Sequence, residues 1–299
     1  MSRRGWLLFA ALALIWGVPY MLIRVAVAEI PPALLVFGRT ALGAGLLLPF
    51  VLRRGRLGRL LPRWRPILVF TAVEVALPWL ALSYAEQRLP SLAAGLLVAC
   101  VPLAGALVSR LSGRIEGPLG ARGLAGLCVG LAGVALLLGL DLGPADAGAL
   151  AAMGLVVLGY AVGPIVVSRH LADLPSLEVV TVSLGAAAIL YAPAALLAAP
   201  TAWPSGRALG AVIVLGVVCT AAAFVVFFEL IAEVGPIRAT LVTYLNPAVA
   251  VAAGVLVLGE RFTAGTAAGF VLVLSGSYLA SVRARTAPLP EAGDHPGGG

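Results

Sequence analysis

Long apolar runs of about 18 to 24 residues follow one another along most of the chain, separated by short polar breaks. Because the hydrocarbon core of a bilayer takes about 20 helical residues, runs of this length are typical of transmembrane helices. The runs are continuous rather than alternating, which favours helices over the strands of a membrane barrel. The pattern predicts an all-α membrane protein with ten transmembrane helices, at residues 6–26, 33–52, 66–84, 91–109, 120–140, 147–168, 177–199, 207–231, 237–258 and 264–282.

The chain also carries an internal repeat. Pro49 and Pro193 are 144 residues apart, and Pro102 and Pro247 are 145 apart. Similar offsets relate three further pairs, which are Trp16 with Tyr160, Gly126 with Gly269, and Gly133 with Gly276. Each copy holds five predicted helices, over residues 6–140 and 147–282, and because five is odd the second copy must lie inverted in the membrane. We therefore expect two inverted five-helix repeats, followed by a disordered tail at 283–299 that is rich in proline and glycine.

Composition excludes a soluble globular protein. Of the 299 residues, 61% are hydrophobic and only 11% are charged. The mean hydropathy is +1.07, whereas soluble domains are about half apolar and about a quarter charged. A formal net charge of +7 would suggest a nucleic-acid partner in a soluble chain. Here the loop arginines set the membrane topology instead, so we expect a lipid bilayer around the protein and no nucleic acid.

The distribution of arginines predicts the orientation of the chain. With the N-terminus in the cytoplasm, 15 arginines fall at cytoplasmic helix ends and 3 in outer loops. The connector 53–65 holds six arginines, while its counterpart at about 200–206 holds none, as inverted copies require. All twenty basic residues are arginine, which with abundant glycine indicates a GC-rich, bacterial genome. We expect a multi-pass protein of the bacterial cytoplasmic (inner) membrane with both termini in the cytoplasm.

Motifs for enzymatic chemistry are missing from the sequence. It contains no GxxxxGK[ST] loop for nucleotide phosphates and no HExxH zinc motif, and its two histidines, His170 and His295, are far apart. An intramembrane enzyme would need paired acids, a serine–histidine pair or metal ligands at a shared depth, and the sequence offers none. We expect no catalytic residues, no cofactor and no metal site.

Several short motifs resemble those of one transporter family. In chain order they are Trp16-Gly17, Pro31-Pro32 leading to Arg39, Ala81-Leu82-Ser83-Tyr84, Pro102, Asn246-Pro247 and Gly259-Glu260-Arg261. In their order and two-copy spacing the chain resembles the drug/metabolite transporter superfamily, in its branch of ten-helix exporters with two EamA-type domains. The resemblance implies export of small metabolites, amino acids or drugs through a central cavity. The first copy departs from it, with Ser112-Gly113-Arg114 where the second has the loop glutamate, or with that acid shifted to Glu116.

Glu74 is the strongest candidate for chemistry, because it lies near the middle of the third predicted helix. An ionised side chain at the bilayer centre costs about 2.5–3.5 kcal/mol, so such residues usually face a cavity or a partner. Glu74 is either a substrate or proton site, or a protonated carboxyl that hydrogen-bonds to a neighbouring helix for packing. Its counterpart in the second copy is predicted to be Val218 or Cys219, so the repeat itself does not require an acid here.

The ninth predicted helix carries a polar stripe. Its members are Thr240, Thr243, Tyr244 and Pro247, which share a face of an ideal helix because steps of three and four residues do so. The stripe predicts either a cavity wall or interhelical hydrogen bonds. Asn246 points roughly the opposite way, next to a carbonyl that Pro247 would free.

In the first helix Trp16 and Tyr20 form a second stripe, which predicts either a cavity wall or packing. Arg39, Glu229 and Tyr84 are secondary candidates for the pathway. Arg39 lies in the outer third of its helix and is open to a structural role, and Glu229 lies where it could pair with Arg238. Glycine pairs that begin at Gly126, Gly159 and Gly265 permit close helix contacts, within the chain or at the face of a homodimer.

Together these features predict a secondary transporter that moves a small-molecule substrate by alternating access, most simply an exporter with proton coupling. Substrate or protons would pass Glu74, in a cavity shaped by Trp16, Tyr20, Thr243, Tyr244 and Asn246. The alternative is a polytopic membrane sensor or scaffold that transports nothing.

Overall fold

The computed structural model describes residues 1–111, 121–140, 146–198 and 202–281. These residues form ten helical rods, which we number α1 to α10 in chain order. The rods are α1 (Arg3–Ala26), α2 (Pro32–Arg54), α3 (Leu57–Ala85), α4 (Ser91–Val98 and Val101–Leu111), α5 (Ala121–Leu140), α6 (Ala147–Leu171), α7 (Ser176–Leu197), α8 (Gly206–Val234), α9 (Pro236–Ala239, Thr240–Tyr244 and Asn246–Leu258) and α10 (Ala264–Ser281). The predicted tail at 283–299 and the loop at 112–114 with Glu116 lie outside the described residues.

Eight of these rods are both long and apolar enough to cross a bilayer. In α5 and α10 the apolar stretches are shorter, at Gly123–Leu136 and Ala264–Leu279. The prediction of an all-α membrane protein is therefore confirmed, and the count of ten crossings is supported at eight of its ten positions.

The helices pack in an arrangement that repeats between the two halves of the chain. Helix α2 packs against α7, α4 against α9 and α5 against α10, so each of these pairs joins corresponding helices. Helix α3 packs against α6, and the corresponding pair, α8 with α1, is also in contact. Such a set of contacts is what an approximate twofold relation between two five-helix halves produces. The inversion of the second half, which needs five crossings in each half, stays a prediction.

Glycines let α5 and α10 cross at very short distance. A methyl group at Gly276 would lie 2.6 Å from the Gly126 carbonyl oxygen, and one at Gly133 would lie 2.8 Å from the Gly269 carbonyl oxygen. The two contacts are reciprocal, since Gly133 corresponds to Gly276 and Gly126 to Gly269. These glycines therefore serve close contacts between helices of the same chain.

Helices α3 and α8 each widen into a π-helical segment at the corresponding place. The segments are Thr71–Ala76 and Val217–Ala222, and they begin 146 residues apart. Segments of this kind are rare in proteins, and those that occur often lie at functional sites. They pair Glu74 with Thr220, so the predicted counterparts Val218 and Cys219 are wrong. The offset between these segments, 146, is larger than the offsets of 143 to 145 that relate the repeat motifs.

Helices α4 and α9 meet along only half of their length. On the side away from the N-terminus, Ser91–Val98 packs against Asn246–Leu258. There, a methyl group at Gly95 would lie 2.5 Å from the Ala250 side chain. On the N-terminal side, Val101–Leu111 packs against α6 and α10, whereas Thr240–Tyr244 packs against α1. The two helices are therefore in contact on the side away from the N-terminus, where they block the centre of the bundle. On the N-terminal side they diverge.

We expect Gly276→Ala to destabilise the protein, because its methyl group would meet the α5 backbone, which cannot move aside as a side chain can. Overpacking of this kind costs about 1–3 kcal/mol. The thermal unfolding midpoint of the purified protein in detergent micelles measures the effect. Gly154→Ala in α6 is the matched control, because nothing lies within 4 Å of the added methyl group. An equal midpoint for the two variants would contradict the close α5–α10 contact.

Candidate functional site

A buried arginine lies at the centre of the helix bundle. Arg39 of α2 is 6% exposed, and its guanidinium carbon lies 3.6 Å from the centre of the Trp79 ring. Its Nε donates a hydrogen bond of 3.0 Å to Thr220 Oγ1. The Thr220 hydroxyl in turn donates to the Leu215 carbonyl at 2.8 Å. Residues of α2, α3 and α8, from both halves of the chain, therefore hold this cation.

Two tyrosines lie near Arg39, and Cys219 and the Glu86 carboxyl group also lie close enough for their charges to interact with it. Tyr20 of α1 and Tyr160 of α6 both lie close enough to act on its charge, and Tyr160 also interacts with Trp79. Among the described residues no carboxylate oxygen lies within 4.0 Å of the Arg39 guanidinium. The bundle centre thus holds a positive charge with aromatic and hydroxyl neighbours but without a direct counterion.

Glu74 lies in the π-helical segment of α3 and packs against a face of α6 that carries two glycines, Gly159 and Gly163. A methyl group at Gly163 would lie 2.8 Å from the Glu74 carboxyl carbon, so a larger residue there would displace this side chain. One turn earlier, a methyl group at Gly159 would lie 2.6 Å from Pro78 of α3. The carboxyl oxygen Oε2 of Glu74 is buried, and no described residue forms a hydrogen bond with it. The predicted Gly159/Gly163 pair therefore seats the acid within the chain.

A groove of about 310 Å³ runs between α4 and α6 and reaches this region. Its wall is mostly apolar and consists of Val101, Pro102, Gly105, Tyr160, Ala161, Pro164 and Ile165. Tyr160 lines the groove and also interacts with Trp79, whose ring lies against Arg39, so this tyrosine lies between the groove and the buried cation. The repeated Pro102, which the sequence singled out, belongs to this wall.

The two candidate residues of α1, Trp16 and Tyr20, pack against different helices. The Trp16 ring centre is 4.9 Å from that of Phe227 and 6.2 Å from that of Phe224, both in α8. Tyr20 is 6% exposed and packs in the main core, where its ring lies next to Gly95 of α4. Tyr20 is thus the member of the predicted stripe that comes near Arg39.

The predicted stripe of α9 does not form one face. Residues Thr240–Tyr244 adopt a 3₁₀ helix, in which the spacing of an α-helix no longer applies. Thr243 is exposed and Tyr244 half-buried, whereas Pro247 is buried; the side chain of Thr240 lies outside the described part. The Asn246 carbonyl oxygen would lie 3.0 Å from a methyl group at Gly17, and Oδ1 of Asn246 is buried without a hydrogen bond from any described residue.

Two secondary candidates lie at helix ends, away from the bundle centre. Glu229 pairs with Arg4 at 2.6 Å, so the expected partner Arg238 is wrong. The folding of α1 against α8 brings Arg4 to this end. Tyr84 lies at the opposite side, where the guanidinium carbon of Arg88 is 4.1 Å from its ring centre.

Carboxylates from connectors cap helices on the side opposite to the N-terminus. The Glu260 side chain accepts hydrogen bonds from the backbone nitrogens of Ser91 at 2.7 Å and Leu92 at 2.9 Å, at the start of α4. The Glu29 side chain accepts from Ser205 at the start of α8, at 2.6 Å from its backbone nitrogen and 2.7 Å from its hydroxyl. In both cases an acid of one half satisfies free amide groups of the other half.

Sequence reasoning missed four residues of this site, which are Trp79, Glu86, Tyr160 and Thr220. Trp79 is five positions after Glu74, which in an ideal α-helix would place the two on different faces, but the π-helical segment changes the angle between them. Tyr160 carried a usable signal, since it matches Trp16 in the repeat.

Glu86, just after α3, is fully buried, and neither of its carboxyl oxygens has a hydrogen-bond partner among the described residues. Arg24 instead donates to its backbone carbonyl. Burial raises the pKa of the Glu86 carboxyl well above its ordinary value of 4.5. Since the unfolded chain ionises near 4.5, this group opposes folding progressively as the pH rises from there toward the folded-state pKa.

We therefore expect Glu86→Gln to raise the thermal midpoint relative to the wild type at pH 8, with a difference that vanishes near pH 4. Glu29→Gln supplies a control of opposite sign. Hydrogen bonds from the Ser205 backbone and then from its hydroxyl lower the pKa of Glu29 below 4.5. The stabilisation by Glu29 is thus present above pH 4.5 and lost as the pH falls through the folded-state pKa. Parallel pH profiles of unfolding for both variants would contradict this assignment.

Comparison with known proteins places the chain among membrane transporters. The Escherichia coli (strain K12) protein named "Uncharacterized inner membrane transporter YedA" is 34% identical over 300 residues, which cover 93% of each chain. The Bacillus subtilis (strain 168) protein named "Uncharacterized transporter YvbV" is 25% identical over 290 residues, or 95% of this chain and 93% of that one. One solved crystal structure shares the fold with a TM-score of 0.65 at 23% identity, over 94% of this chain and 97% of the other.

The same conclusion follows from a family model that matches the chain twice. The EamA-like transporter family is matched over residues 3–139 and again over 147–282. The two matches account for nearly all of the helices, and the resemblance to the drug/metabolite transporter superfamily is confirmed. The chain belongs to the EamA-like transporter family.

Proposed function

We propose that this protein is a secondary transporter that exports small organic solutes across the bacterial cytoplasmic membrane by alternating access, with proton exchange at Glu74. The N-terminal side of the bundle is assigned to the cytoplasm, so both termini lie there. The arginine distribution and the printed name of the Escherichia coli relative, an inner membrane transporter, support this assignment. Transport of an unaltered solute requires neither an active site nor a cofactor.

Glu74 is the observation that carries the proposal. It is an acid in the middle of an apolar helix, where ionisable residues are costly and usually functional. The packing interpretation requires a hydrogen bond to a neighbouring helix, and Oε2 makes none with any described residue. A carboxyl with an unused oxygen next to Gly163, in a wide helical turn, suits reversible protonation.

The arrangement of α4 and α9 supports alternating access. The helices are closed on the opposite side, where the cap by Glu260 reinforces their contact, and diverge toward the N-terminal side. Opening the other way would require that this contact and this cap separate while the N-terminal ends of the helices approach. Trp16, Tyr20, Thr243, Tyr244 and Asn246 belong to the helices that line this divergence, and we retain them as pathway residues.

Replacement of Glu74 by glutamine should abolish solute-driven proton movement, because an amide cannot exchange a proton at neutral pH. Proteoliposomes with an enclosed pH-sensitive dye, challenged in turn with organic acids, amino acids and organic cations, measure it. We expect at least one solute to drive proton flux in the wild type and a fall of about tenfold or more in Glu74→Gln, the equivalent of about 1.4 kcal/mol.

Two further variants sharpen the test. Glu229→Gln alters an exposed acid at a helix end and should keep the wild-type flux. Gly163→Ala keeps the acid but displaces its carboxyl group, and should lower the flux without removing the titrating group. Unchanged flux in Glu74→Gln would show that the acid has no part in coupling, and absence of flux for every solute would favour the sensor or scaffold.

A further inference from the structure

The geometry points to a solute that carries a carboxylate, which binds the guanidinium of Arg39 at the centre of the bundle. This inference rests on the proposed transport function, because it names the chemical class of the transported solute. It also makes Arg39 a residue that determines specificity rather than a structural one.

The first argument is the distribution of ion pairs. Three exposed arginines have carboxylate partners: Arg4 with Glu229, Arg63 with Asp173, and Arg88 with Asp146. The buried Arg39 has none among the described residues, although an unpaired charge away from water costs several kcal/mol. The arginine with the greatest need of a counterion thus has no carboxylate within 4.0 Å in the described part of the chain.

The second argument is the way in which the guanidinium is held. Thr220 binds Nε, and the Trp79 ring covers one face of the group. The two terminal nitrogens of Arg39 bond to no described residue. A guanidinium fixed at Nε and on one face presents those two nitrogens as a fork, and a carboxylate fits such a fork with two parallel hydrogen bonds.

The third argument comes from the repeat. Helix α7 corresponds to α2 at an offset of 144, which places Ser183 where the first half has Arg39. Ser183 is fully buried, and its hydroxyl finds no partner among the described residues. Because the second half builds the equivalent helix contact with a serine, the fold does not require an arginine at this position. A role in binding the solute would explain why the first half has a charged residue at this position, which the repeat itself does not explain.

The position of Arg39 also suits a substrate. Its neighbours come from α1, α2, α3, α6 and α8, and thus from both halves, and binding sites of inverted-repeat transporters lie at that interface. Tyr160 connects Arg39 with the groove between α4 and α6 and also lies close enough to Glu74 for their charges to interact. A carboxylate solute could therefore reach Arg39 while Glu74 carries the proton.

The experiment compares carboxylates with their neutral amides on the purified full-length protein in detergent. The probes are the pairs benzoate and benzamide, phenylacetate and phenylacetamide, and hexanoate and hexanamide. Thermal stabilisation and intrinsic tryptophan fluorescence, to which Trp79 contributes, report binding. For at least one pair we expect the carboxylate to bind about tenfold or more tightly than its amide in the wild type.

Variants assign that preference to Arg39. Arg39→Gln should lose it, whereas Arg39→Lys should keep a weaker preference, because lysine offers a point charge without the fork. Arg24→Gln is the matched control, since Arg24 also lies within a helix but binds the Glu86 carbonyl, and it should discriminate like the wild type. Equal binding of carboxylates and amides by the wild type, no binding by any carboxylate, or an unchanged preference in Arg39→Gln would each overturn the inference.

Failure here is distinguishable from failure of the proposed function. Proton flux that depends on Glu74 but is driven by neutral or cationic solutes alone would leave transport standing and remove the role of Arg39. Carboxylate binding that depends on Arg39, without proton flux driven by any solute, would support the role of Arg39 and contradict the proposed transport function. If Arg39→Gln does not fold, Arg39→Lys and the comparison of each acid with its amide on the wild type still decide the question.

Discussion

Hydrocarbon offers no hydrogen-bond partner, so each backbone group inside the bilayer must find its partner within the protein. Regular helices meet this demand within themselves, and at each of the π-helical segments of α3 and α8 a side-chain hydroxyl bonds to a backbone carbonyl. The Tyr191 hydroxyl donates to the Ala76 carbonyl at the end of one π-helical segment. In the other segment Thr220 donates to the Leu215 carbonyl and still accepts from Arg39. The irregular turns therefore bring polar side chains to the centre of an otherwise apolar bundle.

The two copies share the same helix packing, and the ionisable residues at the centre lie where the copies differ in sequence. Two corresponding positions hold Arg39 and Ser183, and two others hold Glu74 and Thr220. All four residues are polar, but both ionisable ones belong to the first half. The twofold packing thus holds helices in matching positions, while the chemistry at the centre is one-sided.

The sequence allowed the helices and the repeat to be predicted, because both depend on the length and spacing of apolar runs; the inversion of the second copy and the role of Glu74 stay predictions. The sequence did not allow the wide turns of α3 and α8 to be predicted, since a π-helical segment leaves hydrophobicity unchanged. The counterpart of Glu74 was predicted wrongly because the offset between the two halves is 146 at these segments rather than 143 to 145. The prediction of a stripe on α9 also failed, because a 3₁₀ turn alters which residues share a face. Glu86 escaped notice because its burial depends on packing between distant segments.

The cap that Glu260 places on α4 has a consequence for biogenesis. The acid and the Ser91 amide that it satisfies are separated by 169 residues of chain. During synthesis, the start of α4 therefore remains without this partner until nearly the whole second half has been made. The first half cannot reach its final state on its own, although it holds a complete set of five helices. The two repeats are one unit of assembly, which is completed only after the connector that carries Glu260 has been made.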